Sequence, residues 1–257
     1  MEVVIPKNPA DVGRLAADKV ASVVRARPKA VIGLATGSSP AFIYAELARR
    51  VRDGEISFAE ASGFALDEYV GIPFEHPQSY ASVISREVVE PLGFEPARIW
   101  IPDGRADDID KAATEYDEAI AAAGGIDVQI LGIGANGHIG FNESTSSFSS
   151  RTRVKTLAPR TREDNARFFV DTSQVPIHCI TQGLGTILEA RQLVLVAQGS
   201  AKAEAIARAV EGSMSSMVPA SALQLHPHAI VIVDEAAGSR LLLADYYRYT
   251  FANKPVR

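Results

Sequence analysis

Apolar runs alternate with amphipathic stretches along the whole chain, and the alternation predicts its elements. Residues 29–35 are continuously apolar after the first position and predict a buried strand, followed by a helix over about 40–51. Residues 62–66 and 98–101 predict two further strands. Residues 127–133 predict the strongest strand, and 175–181 a weaker one because Pro176 interrupts it. The runs 193–197 and 229–233 complete the set. Between them, helical patterns fall near 9–26, 77–90, 107–123, 161–169, 182–190 and 200–211. Continuously apolar strands separated by helices predict an α/β protein whose mostly parallel sheet is covered by helices on both faces.

No linker, low-complexity tract or internal repeat divides the 257 residues, so one domain over 1–257 is expected. The longest irregular stretch, 142–153, follows a Gly-rich strand end, where α/β enzymes keep functional loops. A lid or loop region of about 142–175 is expected there. With 26 basic and 31 acidic residues the formal charge is −5, which argues against a general nucleic-acid partner but not against a local basic pocket. Cys179 is the single cysteine, which excludes an intramolecular disulfide and a Cys-based zinc cluster. No run approaches the ~20 apolar residues of a spanning helix, and the first residues lack the basic flank and apolar core of a signal peptide. A cytoplasmic protein with no membrane partner is expected.

In open α/β sheets ligands bind beyond the carboxyl ends of the strands. Four such places carry unusual residues. In Ala35-Thr-Gly-Ser-Ser-Pro40, Pro40 suits a first helical turn and Ser39 an N-cap. The small residues suit a phosphate cradle at a helix N-terminus, or simply a capped turn. Asp67 and Glu68 end the second strand; a carboxylate there reads as a general base if burial lifts its pKa, or as a solvated cap. Gly132-Ile-Gly-Ala-Asn-Gly-His-Ile-Gly-Phe-Asn-Glu143 combines tight turns with His138, a proton carrier near neutral pH that Glu143 could orient. Gln198-Gly-Ser-Ala-Lys202 places a lysine in a first helical turn, a second phosphate contact or a solvated charge. Arg167 is another candidate of that kind.

The remaining polar features are weaker. His226 and His228 lack carboxylate or cysteine company, so no metal site is expected. His178, Cys179 and Trp100 read as packing. The residues alone reach an enzyme with an anion cradle and Asp, His and Glu proton carriers, suited to moving protons on a small phosphorylated metabolite.

At these residues the sequence resembles the glucosamine-6-phosphate deaminase (glucosamine-6-phosphate isomerase) family. The resemblance runs over almost the whole chain, and its anchors are residues 34–40, 66–73, 76–80, 132–143, 149–157 and 223–227. The resemblance implies a Rossmann-like fold and conversion of glucosamine 6-phosphate and water to fructose 6-phosphate and ammonia. It implies no cofactor and no metal. Carried over by position, His138 assists opening of the sugar ring, supported by Glu143 and Asn136. Asp67 moves a proton between C2 and C1, and Glu68 helps position or polarise that site. Thr36, Gly37, Ser38, Arg167 and Lys202 hold the phosphate.

Position 136 departs from part of the family, where some members carry aspartate. An amide can orient an imidazole but cannot stabilise imidazolium as a carboxylate does. Glu143 is therefore expected to carry the charge role, and an aspartate at 136 to retain activity. Longer family members are homohexamers activated by N-acetylglucosamine 6-phosphate. Arg153, Lys155 and Thr156, with Ser146, match that effector site, or form a surface strand beside the lid. A homo-oligomer is expected. Two other readings compete. A 6-phosphogluconolactonase would share the Gly-rich loop but does not need Asp67 as a C2 base. A non-catalytic sugar-phosphate sensor would carry a basic DNA-binding appendage.

Overall fold

A computed structural model describes residues 1–255. Seven parallel strands make the main sheet: β1 (Glu2–Val4), β2 (Val31–Leu34), β3 (Ser62–Ala65), β5 (Ile99–Trp100), β6 (Val128–Leu131), β9 (Leu193–Ala197) and β10 (Ala229–Val233). Their order is β1-β10-β9-β6-β2-β3-β5. Every residue of β2, β6, β9 and β10 is buried. Successive side chains point to opposite faces of a strand, so both faces of the sheet are covered. The helices are α1 (Ala10–Ala26), α2 (Ser38–Arg52), α3 (Tyr80–Ile84), α4 (Glu90–Leu92), α5 (Ile109–Ala122), α6 (Pro159–Ala166), α7 (Leu184–Leu188), α8 (Ala203–Val210) and α9 (Ala244–Ala252). In α1 the buried Val12, Ala16, Val20 and Val24 recur every fourth residue, one stripe of an amphipathic helix.

The chain runs from β2 outward to β3 and β5, then returns to the other side of β2 with β6. The strand order thus reverses between β2 and β6, and a crevice opens at their carboxyl ends.

A second sheet was not foreseen. β4 (Asp67–Tyr69), β8 (His178–Thr181) and β7 (Arg153–Thr156) form a small antiparallel sheet with β8 in its centre. The predicted strand 175–181 therefore does not join the parallel sheet. It begins at His178, beyond Pro176, and Tyr69 and Lys155 both pair with Cys179. Cys179 is buried as expected, whereas His178 is exposed, which corrects its placement in the core. Leu66 joins the two sheets: its N–H donates to Leu34 O at 2.8 Å and its carbonyl accepts from Gln182 N at 2.9 Å.

Other differences are local. The helix expected over 77–90 is split, with a π turn at Ser85–Val89 between α3 and α4. Pro91 has no N–H for the Glu87 carbonyl and crowds it, which favours the wider turn. Trp100 does pack, stacked on Phe64 with ring centroids 4.7 Å apart. His226 Nε2 lies 2.8 Å from Ala190 O and its Nδ1 accepts from His228 N, so that pair serves the fold.

Candidate active site

Four loops meet in one cavity of about 540 Å³ at the reversal point. Thr36, Gly37 and Ser38 enter it after β2, Asp67 after β3, residues 132–135 and His138 after β6, and Lys202 after β9. Arg167, just past α6, closes one wall. Residues from 36 to 202 along the chain thus line a single crevice.

The cradle starts with Gly37, whose φ of 109° only glycine adopts readily. α2 begins at Ser38, so Gly37 and not Ser39 is the N-cap. No side chain caps this first turn, which leaves its N–H groups and the positive helix end for an anion. Lys202 is half-buried and donates from Nζ to Ile133 O at 2.7 Å. Burial pulls its pKa below the usual lysine value. Arg167 is exposed, its guanidinium 4.7 Å above the Phe168 ring. All three cationic or helix-end features face the cavity.

Asp67 is buried where the chain leaves one sheet for the other. Burial, then the neighbouring Glu68 carboxylate, push its pKa well above the usual range. The chain crosses close to it at Gly140, with φ +56°; a Cβ there would lie 2.9 Å from Thr181 Oγ1 and 3.4 Å from Asp67 Oδ2. Glu68 does not line the cavity. Its carboxylate accepts from the backbone N–H of Tyr69 and Tyr80 through Oε1 (2.8 and 3.0 Å) and of Ala81 through Oε2 (2.9 Å). It thereby ties β4 to the start of α3 and sets Tyr80 in the cavity wall, instead of reaching toward a ligand.

His138 packs against Gly134, where a Cβ would come within 2.5 Å of all three ring atoms nearest it. Burial draws its pKa below the ordinary value, partly offset by Glu143. His138 Nδ1 is buried without a hydrogen-bond partner among the described residues, and Glu143 Oε2 stands 3.9 Å from it. Asn136 and Glu143 lie behind the ring and do not line the cavity. The Asn136 amide donates to Glu143 Oε2 at 2.8 Å, and its Oδ1 accepts from the His138 N–H at 3.1 Å. Glu143 Oε1 accepts from Thr161 Oγ1 and from Ala158 N.

Ser146, Arg153, Lys155 and Thr156 fall outside this cavity. Arg153 donates to Asn142 Oδ1 at 2.9 Å and to Ser146 Oγ at 3.2 Å, and burial lowers its pKa. Lys155 and Thr156 lie on the same strand, β7. Tyr80, Phe141, Thr161 and Asn165 also line the active cavity. Tyr80 and Phe141 belong to the anchors 76–80 and 132–143, whereas nothing in the sequence marks Thr161 or Asn165 for this wall.

Residues 9–232 match the family described as glucosamine-6-phosphate isomerases/6-phosphogluconolactonase. The glucosamine-6-phosphate deaminase of Pseudarthrobacter chlorophenolicus is 56% identical over 255 residues, covering 99% of this chain and 98% of that one. That of Streptomyces coelicolor is 56% identical over 256 residues, with 99% and 98% covered. The solved structure of a monomeric glucosamine-6-phosphate deaminase superposes with a TM-score of 0.91 at 38% identity, covering 93% of this chain and all of that one. A 6-phosphogluconolactonase from Trypanosoma cruzi shares the fold, with a TM-score of 0.75, at 18% identity and 94% and 97% coverage. With its parallel sheet, its crevice and these likenesses, the chain belongs to the family of glucosamine-6-phosphate isomerases and 6-phosphogluconolactonases, on the side of the glucosamine-6-phosphate deaminases.

Proposed function

We infer that the protein converts glucosamine 6-phosphate and water to fructose 6-phosphate and ammonia, as a step of amino-sugar catabolism. One observation carries the residue roles: the Asp67 carboxyl and the His138 imidazole open onto the same cavity, which also holds the uncapped start of α2.

The phosphate is held by Thr36, Gly37, Ser38, Lys202 and Arg167. Anchoring one end of a flexible chain lowers the entropic cost of presenting C1 and C2 to a single carboxylate. His138, whose imidazolium form burial disfavours, takes the proton of the anomeric hydroxyl and returns one to the ring oxygen. Glu143 and Asn136 hold the imidazole for that exchange. In the open chain, Asp67 removes the C2 proton while the C1 oxygen takes a proton from the C2 ammonium group, giving an enolamine, and Asp67 then delivers the C2 proton to C1. The resulting C2 iminium adds water and expels ammonia. A buried carboxyl whose pKa lies well above the usual range suits both halves of this transfer, since it must accept and then release the same proton. The lactonase reading gives Asp67 no such task.

The same proposal includes a cytoplasmic location and self-association. The second is supported by the apolar face next to and on α9, where Leu242, Leu243, Tyr246 and Tyr249 are exposed. It also includes an effector site at Ser146, Arg153, Lys155 and Thr156, supported by an arginine held by neutral oxygens only. Saturation curves with and without N-acetylglucosamine 6-phosphate test it; superimposable curves discard it.

The central assay is ammonia release from glucosamine 6-phosphate by the wild type and by Asp67→Asn. Release by the wild type alone is expected. No release by either would reject the activity.

A further inference from the structure

Glu143 is held from two directions. One oxygen belongs to its own loop, through Asn136 at 2.8 Å. The other belongs to α6, through the Thr161 hydroxyl and the Ala158 N–H at 3.1 Å. Thr161 is buried, and both residues sit at the start of the helix whose far end leads into Arg167. A single short helix therefore joins the phosphate end of the cavity to the carboxylate behind His138.

We propose that Thr161 is a positioning residue for ring opening: its hydroxyl fixes Glu143 behind His138 and so ties proton transfer to the seating of α6 on the substrate. The proposal rests on the reading that Arg167 meets the phosphate and His138 opens the ring. The chemistry requires an acceptor that stays put while the imidazole gains and loses charge. Without the Thr161 hydroxyl, only Asn136 at 2.8 Å and the Ala158 N–H at 3.1 Å would hold the carboxylate, which could then rotate away from Nδ1, already 3.9 Å distant. The Thr161 donor removes that freedom. Because Thr161 and Arg167 share one helix and its end, a substrate without a phosphate would leave α6 unseated and the clamp loose. Discrimination for the phosphorylated sugar would then appear in kcat as well as in KM.

The test uses the intact protein. Thr161→Val keeps the shape and removes the hydroxyl. It is expected to lower kcat about tenfold, while affinity for an open-chain amino-alditol 6-phosphate, which needs no ring opening, stays within about twofold. Thr161→Ser restores kcat. In a Glu143→Gln background, Thr161→Val adds less than about twofold, because the two act as a unit. Wild-type kcat in Thr161→Val beside a slow Glu143→Gln overturns the proposal alone, as do losses that multiply in the double variant. Wild-type kcat in Glu143→Gln overturns the underlying reading as well. Should the valine variant not fold, Thr161→Ala makes the same test, since it also removes the hydroxyl that Glu143 accepts from. A slowed kcat with retained alditol affinity is expected; an unchanged kcat overturns the proposal.

Discussion

The Asn136 side-chain amide donates to Glu143 Oε2 at 2.8 Å, so an uncharged group fills the place next to the carboxylate that faces His138. Asn136→Asp would set two carboxylates in hydrogen-bond contact. The added negative charge favours the charged imidazole and raises the His138 pKa. Activity is expected to persist, with the acid limb of the kcat/KM profile moved to higher pH. An unmoved limb, or a folded but inactive variant, would refute this role for position 136.

Asp67 is held out of water with its pKa well above the usual carboxylate range. A raised native pKa means the folded state binds the proton more tightly than the unfolded chain. Stability is then lost as pH rises from the unfolded value, about 4, through the native one. Asp67→Asn should therefore be more stable than wild type near neutral pH, and the difference should vanish in acid. Activity should fall by about 10²–10⁴. Denaturant melts at two pH values, read beside the ammonia assay, check both signs; a variant less stable at neutral pH refutes the first.

Lys202 reaches the cavity from the start of α8, anchored on Ile133 O. Lys202→Met keeps the stem and removes the charge. A charge-assisted contact is worth about 1.5–3 kcal/mol, so KM should rise roughly tenfold to a hundredfold with kcat less affected. A KM within twofold of wild type would remove Lys202 from the phosphate grip.

Gly140 lets the chain pass over Asp67 with φ +56°. Gly140→Ala introduces a Cβ 2.9 Å from Thr181 Oγ1 in a left-handed conformation. A loss of about 1–3 kcal/mol is expected, with reduced activity because the Asp67 environment shifts. Equilibrium unfolding measures the first and steady-state rates the second; a variant as stable as wild type contradicts the close approach.

The exposed α9 face predicts self-association. Sedimentation velocity at micromolar concentration should show a species larger than one 27.5 kDa chain. A monomer over that range would end the prediction.

The main sheet apart from its short edge strand β1 could be read in the sequence because its central strands are buried on both faces and so are continuously apolar. β4 could not, and β7 was legible only as the surface strand that Arg153, Lys155 and Thr156 offered as one of two readings. Three residues of Asp-Glu-Tyr and four of Arg-Val-Lys-Thr have no period of their own and become strands only by pairing with β8. α9 buries no residue, so no apolar stripe marked it. The loop residues Thr36, Asp67, His138 and Lys202 were legible because strand ends announce them. Thr161 was hidden: its partner Glu143 lies 18 positions away, and only the folded chain brings them together.

Leu66 passes the chain from the wide parallel sheet to the narrow antiparallel one, one residue before Asp67. The Asp67 carboxylate therefore sits on a joint between a deep scaffold and a shallow one. The three-stranded piece has far less to hold it than the seven-stranded one, and gentle warming should open it to solvent exchange first. The protein would then fall silent while its helical signal was still whole, and cooling would bring the chemistry back without refolding the core.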